Sequence, residues 1–177
     1  MSAFDQRFRR IEPWVGFAEV QKQLGRDGAF LVSVDPQGRP NAMTIGWALL
    51  GTAWYQPLLL VLVRPSRYTH ACLLHAGAFT VNVPLGTMGK ELEFCGEKSG
   101  RDVDKFKELG LRWEKGREVD VPVLTDCDLL YECRVVARVD LRPEDILSPE
   151  VRGRFYPQGN LHTLFFGEIK AAWRARK

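Results

Sequence analysis

Asn41-Ala-Met-Thr-Ile-Gly-Trp47, Arg64-Pro-Ser-Arg-Tyr-Thr-His70 and Phe79-Thr-Val-Asn-Val-Pro84 are the pieces around which the rest of the chain is arranged. Gly46, inside a strand-like run, marks a bulge or a close approach of backbone to another group. Small and medium residues beside Trp47 suit a flat ring laid against the chain. They suit equally a hairpin strand with a packed tryptophan. The second piece leaves an apolar strand and enters a helix, where free N–H groups and the helix dipole attract an anion. Arg64 and Arg67 bring forked donors there, and Ser66 and Thr69 bring hydroxyls. Taken alone, the same segment is also a capped helix with two solvated arginines.

Working outward, β-branched and aromatic content predicts a strand over Ala29–Val34, and Asp35-Pro-Gln-Gly38 predicts a turn. Asn41–Leu50 is the returning strand of a hairpin. Gly51–Pro57 turns again into Leu58–Val63, whose continuous apolar character requires cover on both faces, by the core or by another subunit. Tyr68–Ala76 reads as a helix closed by Gly77, and Ala78–Val83 as a strand stopped by Pro84. Two further helices are expected over Leu85–Lys98 and Asp102–Leu109, and a weak strand pair over Leu111–Val119. Cys127–Leu141 alternates as a long strand, and Asn160–Lys170 is the last one. Residues 1–13 lack periodicity and read as an arm, from which a short helix over Val15–Leu24 leads on. Residues 142–159 are polar, with three prolines, and read as a functional loop or lid. Many strands with few covering helices predict a mainly β, closed or half-closed antiparallel barrel.

The 177 residues suit one domain, 1–177, and 45% hydrophobic content supplies a sizeable core. A formal charge of +3, with bases scattered among acids, argues against a nucleic-acid partner. The basic run Arg7, Arg9, Arg10 is a solvated patch. No apolar stretch follows it as in a secretory leader, and Leu58–Val63 is too short to span a bilayer, so a cytoplasmic protein is expected. Four cysteines without Cys-x-x-Cys spacing predict free thiols, Cys95 the one to watch for exposure. His70 and His75 are five apart, the wrong spacing for a shared metal, and none is expected.

In their order and spacing, the three pieces resemble the flavin reductase-like family of FMN-binding split barrels, which includes flavoredoxins. Ser99-Gly-Arg-Asp-Val-Asp-Lys-Phe106, Leu130-Tyr-Glu-Cys133 and His162-Thr-Leu-Phe-Phe-Gly-Glu168 extend the likeness over about residues 28 to 170. The resemblance implies a Greek-key split barrel, a homodimer, and FMN near the subunit interface. By position it gives the flavin ring to Met43, Thr44, Ile45, Gly46 and Trp47, and the phosphate to Arg64, Ser66, Arg67 and Thr69. Asn82, Val83 and Pro84 would follow the ribityl chain and ring edge, Met88, Gly89 and Lys90 would complete the pocket, and His162 would lie near the flavin or the interface. Tyr55-Gln56-Pro57 departs from the two prolines many relatives carry, and the polar segment 142–159 leaves the substrate side open.

The expected activity is that of an FMN-dependent oxidoreductase passing electrons from NAD(P)H to a second acceptor. The flavin does the chemistry, and the protein supplies orientation and electrostatics. A flavoredoxin-type carrier reduced by a protein partner shares the cofactor without the nicotinamide. A cofactor-free β-barrel interaction module is the third class. Arg152, Arg154, Phe155 and Tyr156 fit a lid over a nicotinamide or a surface loop, while Asp102, Asp104 and Lys105 read as a solvated helix start.

Overall fold

The computed structural model describes residues 2–176. Helix α1 (Ala3–Arg7) and strand β1 (Phe8–Ile11) occupy the expected arm. Ser2 accepts from the Asp5 N–H while the Asp5 carboxylate accepts from the Ser2 N–H, a reciprocal cap that starts the helix. Phe4 and Phe8 stack at 4.8 Å and are buried, so the arm is a folded element held by apolar burial. Then come α2 (Phe17–Leu24), β2 (Ala29–Val34), β3 (Pro40–Ile45), β4 (Ala48–Ala53), β5 (Gln56–Val63) and α3 (Tyr68–Ala76). After them run β6 (Ala78–Val83), α4 (Gly89–Glu97), α5 (Lys105–Glu108), β7 (Trp113–Lys115), β8 (Pro122–Leu124), β9 (Leu129–Asp140), α6 (Pro149–Phe155) and β10 (Thr163–Ala175).

Seven strands hydrogen-bond in the order β3-β2-β6-β9-β10-β5-β4, β1 adds to β10, and β7 and β8 pair apart. All these pairings are antiparallel. The expected single strand Asn41–Leu50 is cut at Gly46-Trp47, and the two halves form opposite margins of the sheet. The sheet therefore curls into a barrel whose seam is bridged by two residues.

Alternation along the strands divides the apolar residues between two cores. Ala29 and Leu31 of β2, and Leu129, Tyr131 and Cys133 of β9, fill the barrel. Phe30, Val32 and Leu130 face outward into a second core with Leu92, Cys95, Phe106 and Val123. Gly167 is required where the barrel is tightest, because a Cβ there would lie 2.4 Å from the Phe79 ring. Helix α4 starts four residues later than the pattern predicts, since Met88 takes a left-handed φ of 57° and breaks the run. The segment 142–159 is an ordered strap containing a 3₁₀ turn (Pro143–Asp145) and α6, whose Ser148 accepts from the Val151 N–H. Cys95 is buried, and burial pushes its thiol up to about 11. Among the described residues all four cysteines are free and buried.

Candidate functional site

Strand β3, the β5–α3 turn and the α4–α5 connection converge on a cavity of about 120 Å³. Four cations, Arg67, Lys98, Arg101 and Lys105, line it with the hydroxyl residues Ser66, Thr69 and Ser99, and no carboxylate does. Arg67 is the N-cap of α3, so the first free N–H groups of that helix open beside these cations. An acid-free concentration of donors at a nine-residue helix start is suited to one ligand chemistry, an anion with several oxygens.

Lys105 is the residue the sequence reading misplaces. It is 4% exposed, and its Nζ donates to the Ala42 carbonyl at 2.7 Å and the Cys95 carbonyl at 2.9 Å. Burial and then the Arg67 charge lower its pKa, with the neighbouring Cys95 opposing them. It is a buried cation binding β3 to α4, where a solvated helix start was expected. Asn41 donates to the Thr69 hydroxyl at 2.8 Å and fixes the first turn of α3 against β3. Gly100 crosses directly over this pair, and a Cβ there would sit 2.0 Å from Asn41 Oδ1. The close passage is what brings Ser99 and Arg101 to the cavity.

The other predicted residues divide into groups. Met43 lines the cavity, and Thr44 donates to the Leu92 carbonyl, tying β3 to α4. Ile45 turns into the barrel core. Gly46 and Trp47 are exposed at the seam. Ser66 accepts from Asn160 Nδ2 at 2.9 Å, and exposed Arg67 spends one donor on the Gly96 carbonyl at 3.2 Å. Arg64 faces elsewhere. Its terminal nitrogens donate to the carbonyls of Asn160 and Phe155, both at 2.8 Å, and its guanidinium lies 5.2 Å from the Tyr156 ring centre. Asn82 is wholly buried, giving its amide to Thr80 at 3.0 Å and accepting from the Leu124 N–H at 2.8 Å. Its side chain fastens β6 to β8. Val83 fills the barrel and Pro84 is buried, so neither presents a side chain to a cleft. Met88, Gly89 and Lys90 begin α4, Met88 packing on the second core.

A wall of rings stands next to the seam. Trp47 meets Phe155 edge-on at 5.1 Å and His162 at 5.2 Å, and His162 Nδ1 bonds the Tyr156 hydroxyl at 2.8 Å. Burial, then the charges of Arg64 and Arg67, hold the His162 imidazole down to about 4, so it is neutral near pH 7. The strap residues Phe155 and Tyr156 thus reach the residues predicted for the ring. Sequence reasoning missed Lys98, Ser99, Gly100 and Arg101 as cavity residues, although the run from Ser99 to Phe106 drew notice. Among the described residues no group of three or more His, Cys, Asp or Glu side chains is placed to hold a metal, and no helix is long and apolar enough to cross a membrane.

An open-seamed antiparallel barrel with a polar cleft against its β3 margin fits the split-barrel class. The chain belongs to the flavin reductase-like family, whose domain model matches residues 26–177. It is 32% identical over 131 residues to an uncharacterized protein of Archaeoglobus fulgidus, covering 74% of this chain and 63% of that one. The chain thus spans less than two thirds of that relative, and only 52% of one from Aeropyrum pernix. A flavin reductase (NADH) of Kitasatospora aureofaciens is 31% identical over 159 residues, covering 89% of this chain and 80% of the other. Among solved structures, flavoredoxin of Desulfovibrio vulgaris superposes with a TM-score of 0.67 at 25% identity, over 84% of this chain and 69% of that one. An FMN-binding protein of Thermus thermophilus superposes at 0.62 and 26% identity, over 83% and 70%.

Proposed function

We propose that residues 1–177 act as one unit that binds FMN at the seam and oxidises NAD(P)H, with electrons passing to a second acceptor. The observation that carries this is the acid-free cavity walled by Arg67, Lys98, Arg101 and Lys105. Its donor set fits a phosphate monoester, and Met43 and the seam residues Gly46 and Trp47 continue from it toward the ring wall. When bound, FMN would supply the redox chemistry. The chain's own residues do the rest. Arg67 and the α3 N-terminus hold the anion, and buried Lys105 adds a positive field strengthened by its dry surroundings. Trp47, Phe155 and neutral His162 shield one side from water, and Arg64 keeps the strap seated by its two carbonyl bonds. The NADH-dependent relative in Kitasatospora supports the nicotinamide donor. The flavoredoxin neighbour supports the second reading, a carrier reduced by a protein partner.

The same proposal includes a homodimer and a cytoplasmic setting. The outward face of four strands carries a continuous apolar row, in which Val139 is paired with Leu164, Leu164 with Leu62, Phe166 with Leu60 and Leu60 with Leu49. Leu49 is 64% exposed, and the hairpin tip Trp54-Tyr55 at the end of this face holds both residues at positive φ. Such a face is suited to a second copy of itself.

The test is the absorption spectrum of FMN-loaded protein under anaerobic conditions, with NADH and NADPH added in turn. Bleaching by either supports the reductase. A loaded protein that neither bleaches, but that a reduced ferredoxin does, assigns the carrier reading instead. A preparation that takes up no FMN removes both.

A further inference from the structure

The outer side of α2 has no part in the cavity or the ring wall. Between β1 and α2 the chain turns through Pro13-Trp14-Val15-Gly16-Phe17-Ala18, six residues without a charge. Trp14 is 45% exposed, Phe17 43% and Val15 39%, and among the described residues the Trp14 indole N–H has no acceptor. Helical spacing puts Val20, Gln23 and Leu24 inward and leaves Phe17, Ala18 and Lys22 on the exposed side, with Arg26 just past the end. Lys22 and Arg26 share a cleft of about 230 Å³ with Leu85, and Arg9 shares a groove with Val15. Among the described residues none of these three cations has an acidic partner within ion-pair distance. Glu19 is held by Arg174 through bonds of 2.6 and 2.8 Å, and Glu12 and Asp27 stand at the two ends of the face. The result is an apolar centre with a positive rim. It lies directly behind the seam. Val20 and Leu24, on the inner side of the same helix, share a core with Ile45 and Ala48, which flank Gly46-Trp47. A Cβ on Gly46 would lie 3.8 Å from the Leu24 carbonyl. One helix, about 10–12 Å across, therefore separates this surface from the seam.

We propose that this face docks an acidic protein that carries one electron at a time, and that electrons pass between it and flavin at the seam across α2. The inference rests on the flavin reading above and names the class of partner which that reading leaves open. Carboxylates around the partner's redox centre meet Arg9, Lys22 and Arg26 on the rim, which speeds encounter and sets orientation. Trp14, Val15 and Phe17 supply the desolvated centre, and the indole N–H is a spare donor for a partner carbonyl. Three large apolar side chains and three cations make a small contact, of the class that electron-transfer pairs use, below about 1,200 Å². Two reduced carriers each lose one electron, and FMN gains both with two protons from solvent, so the exchange needs no further reactant.

The first measurement needs no flavin. Oxidised plant-type ferredoxin, an acidic one-electron carrier, is titrated calorimetrically into flavin-free protein, with cytochrome c as a basic control. Ferredoxin is expected to bind at low salt and to weaken as salt is added, and cytochrome c is expected not to bind. Lys22→Glu/Arg26→Glu and Phe17→Ser should each weaken ferredoxin binding at least about tenfold. These exposed substitutions leave FMN affinity unchanged, which reports that the variants are folded. In FMN-loaded protein, bleaching by reduced ferredoxin slows in the same variants, while bleaching by dithionite, which needs no docking, keeps its rate. Wild-type affinity for ferredoxin in both variants overturns the proposal, as does absence of ferredoxin binding at low salt or equal binding of cytochrome c. A concentration-dependent mass that is lost in Phe17→Ser assigns the face to a second copy and overturns it too. So does partition onto phosphatidylglycerol vesicles in place of ferredoxin binding, which assigns the face to a bilayer. Failure to take up FMN, by contrast, removes the flavin reading itself and shows in a separate titration.

Discussion

Two arginines three residues apart look equivalent in sequence, and the structure gives them different work. The prediction is that Arg67→Ala weakens FMN relative to riboflavin, while Arg64→Ala leaves that ratio alone. Arg67 uses one donor, on the Gly96 carbonyl at 3.2 Å, and lines the acid-free cavity. A hydrogen bond to a charged group contributes about 1.5–3 kcal/mol. Arg67 is exposed, so solvent screening favours the low end, about 1.5 kcal/mol or roughly a tenfold loss of FMN affinity. Riboflavin has no phosphate and should bind the variant as it binds wild type. Arg64 has both terminal nitrogens on strap carbonyls at 2.8 Å. Its removal costs about 2–4 kcal/mol of local stability from two charged bonds and a ring contact, less whatever water returns. Flavin fluorescence quenching reads the two affinities. Trypsin reads the strap, where Arg142, Arg152 and Arg154 become cleavable in Arg64→Ala. An equal drop in the FMN-to-riboflavin ratio in both variants would refute the division of labour.

Lys105→Met leaves the carbonyls of Ala42 and Cys95 without their buried donor and should lower the unfolding free energy by about 2–4 kcal/mol, measured by urea titration. Because the folded-state pKa of Lys105 lies below its ordinary 10.5, folding is penalised at neutral pH, and this penalty fades as pH rises toward 10.5; wild type should show that rise and Lys105→Met should lack it. His162 has a folded pKa of about 4 against 6.5, so its contribution is full above pH 6.5 and is lost as pH falls from 6.5 to 4. That loss amounts to about 3 kcal/mol, and the acid limb of a denaturation series should flatten in His162→Gln. Gly100→Ala drives a Cβ into Asn41 and Tyr68, and should abolish FMN binding and lower the melting temperature together. Leu49→Glu places a charge in the outward apolar row and should shift sedimentation from dimer to monomer; a wild-type monomer would refute the proposed dimer.

Elements with local punctuation were legible in the chain. The bounds of β2, α3 and β6 follow from the Asp35–Gly38 turn, the helix stop at Gly77 and the strand stop at Pro84, each of which acts on its immediate neighbours. The barrel class followed from the count of strands and the shortage of helices. The cavity was legible at Met43 and along the β5–α3 turn, and not beyond. Ser66, Arg67 and Thr69 lie together in sequence, whereas Lys105 reaches Ala42 across sixty-three positions and its burial has no local signature. The side-chain partners of Arg64 and Asn82 were hidden for the same reason. Their partners, Asn160 and Leu124, lie ninety-six and forty-two positions away, and residue type alone does not say where a side chain spends its donors. The α1 cap was open to reading in Ser2-x-x-Asp5, but a five-residue helix shows no periodicity.

The sheet's two margins are consecutive in the chain and meet through Gly46 and Trp47. Each has one side of its backbone ladder left over, so the ring of strands can spring apart there at the least energetic expense. An occupant lying across that joint acts as a clasp. Its binding energy is added at the place where breathing begins, by about RT ln(1 + [L]/Kd). Amide exchange in Pro40–Ile45 and Ala48–Ala53 should slow when the clasp is fitted, while exchange in β9 and β10, stitched on both sides, scarcely changes.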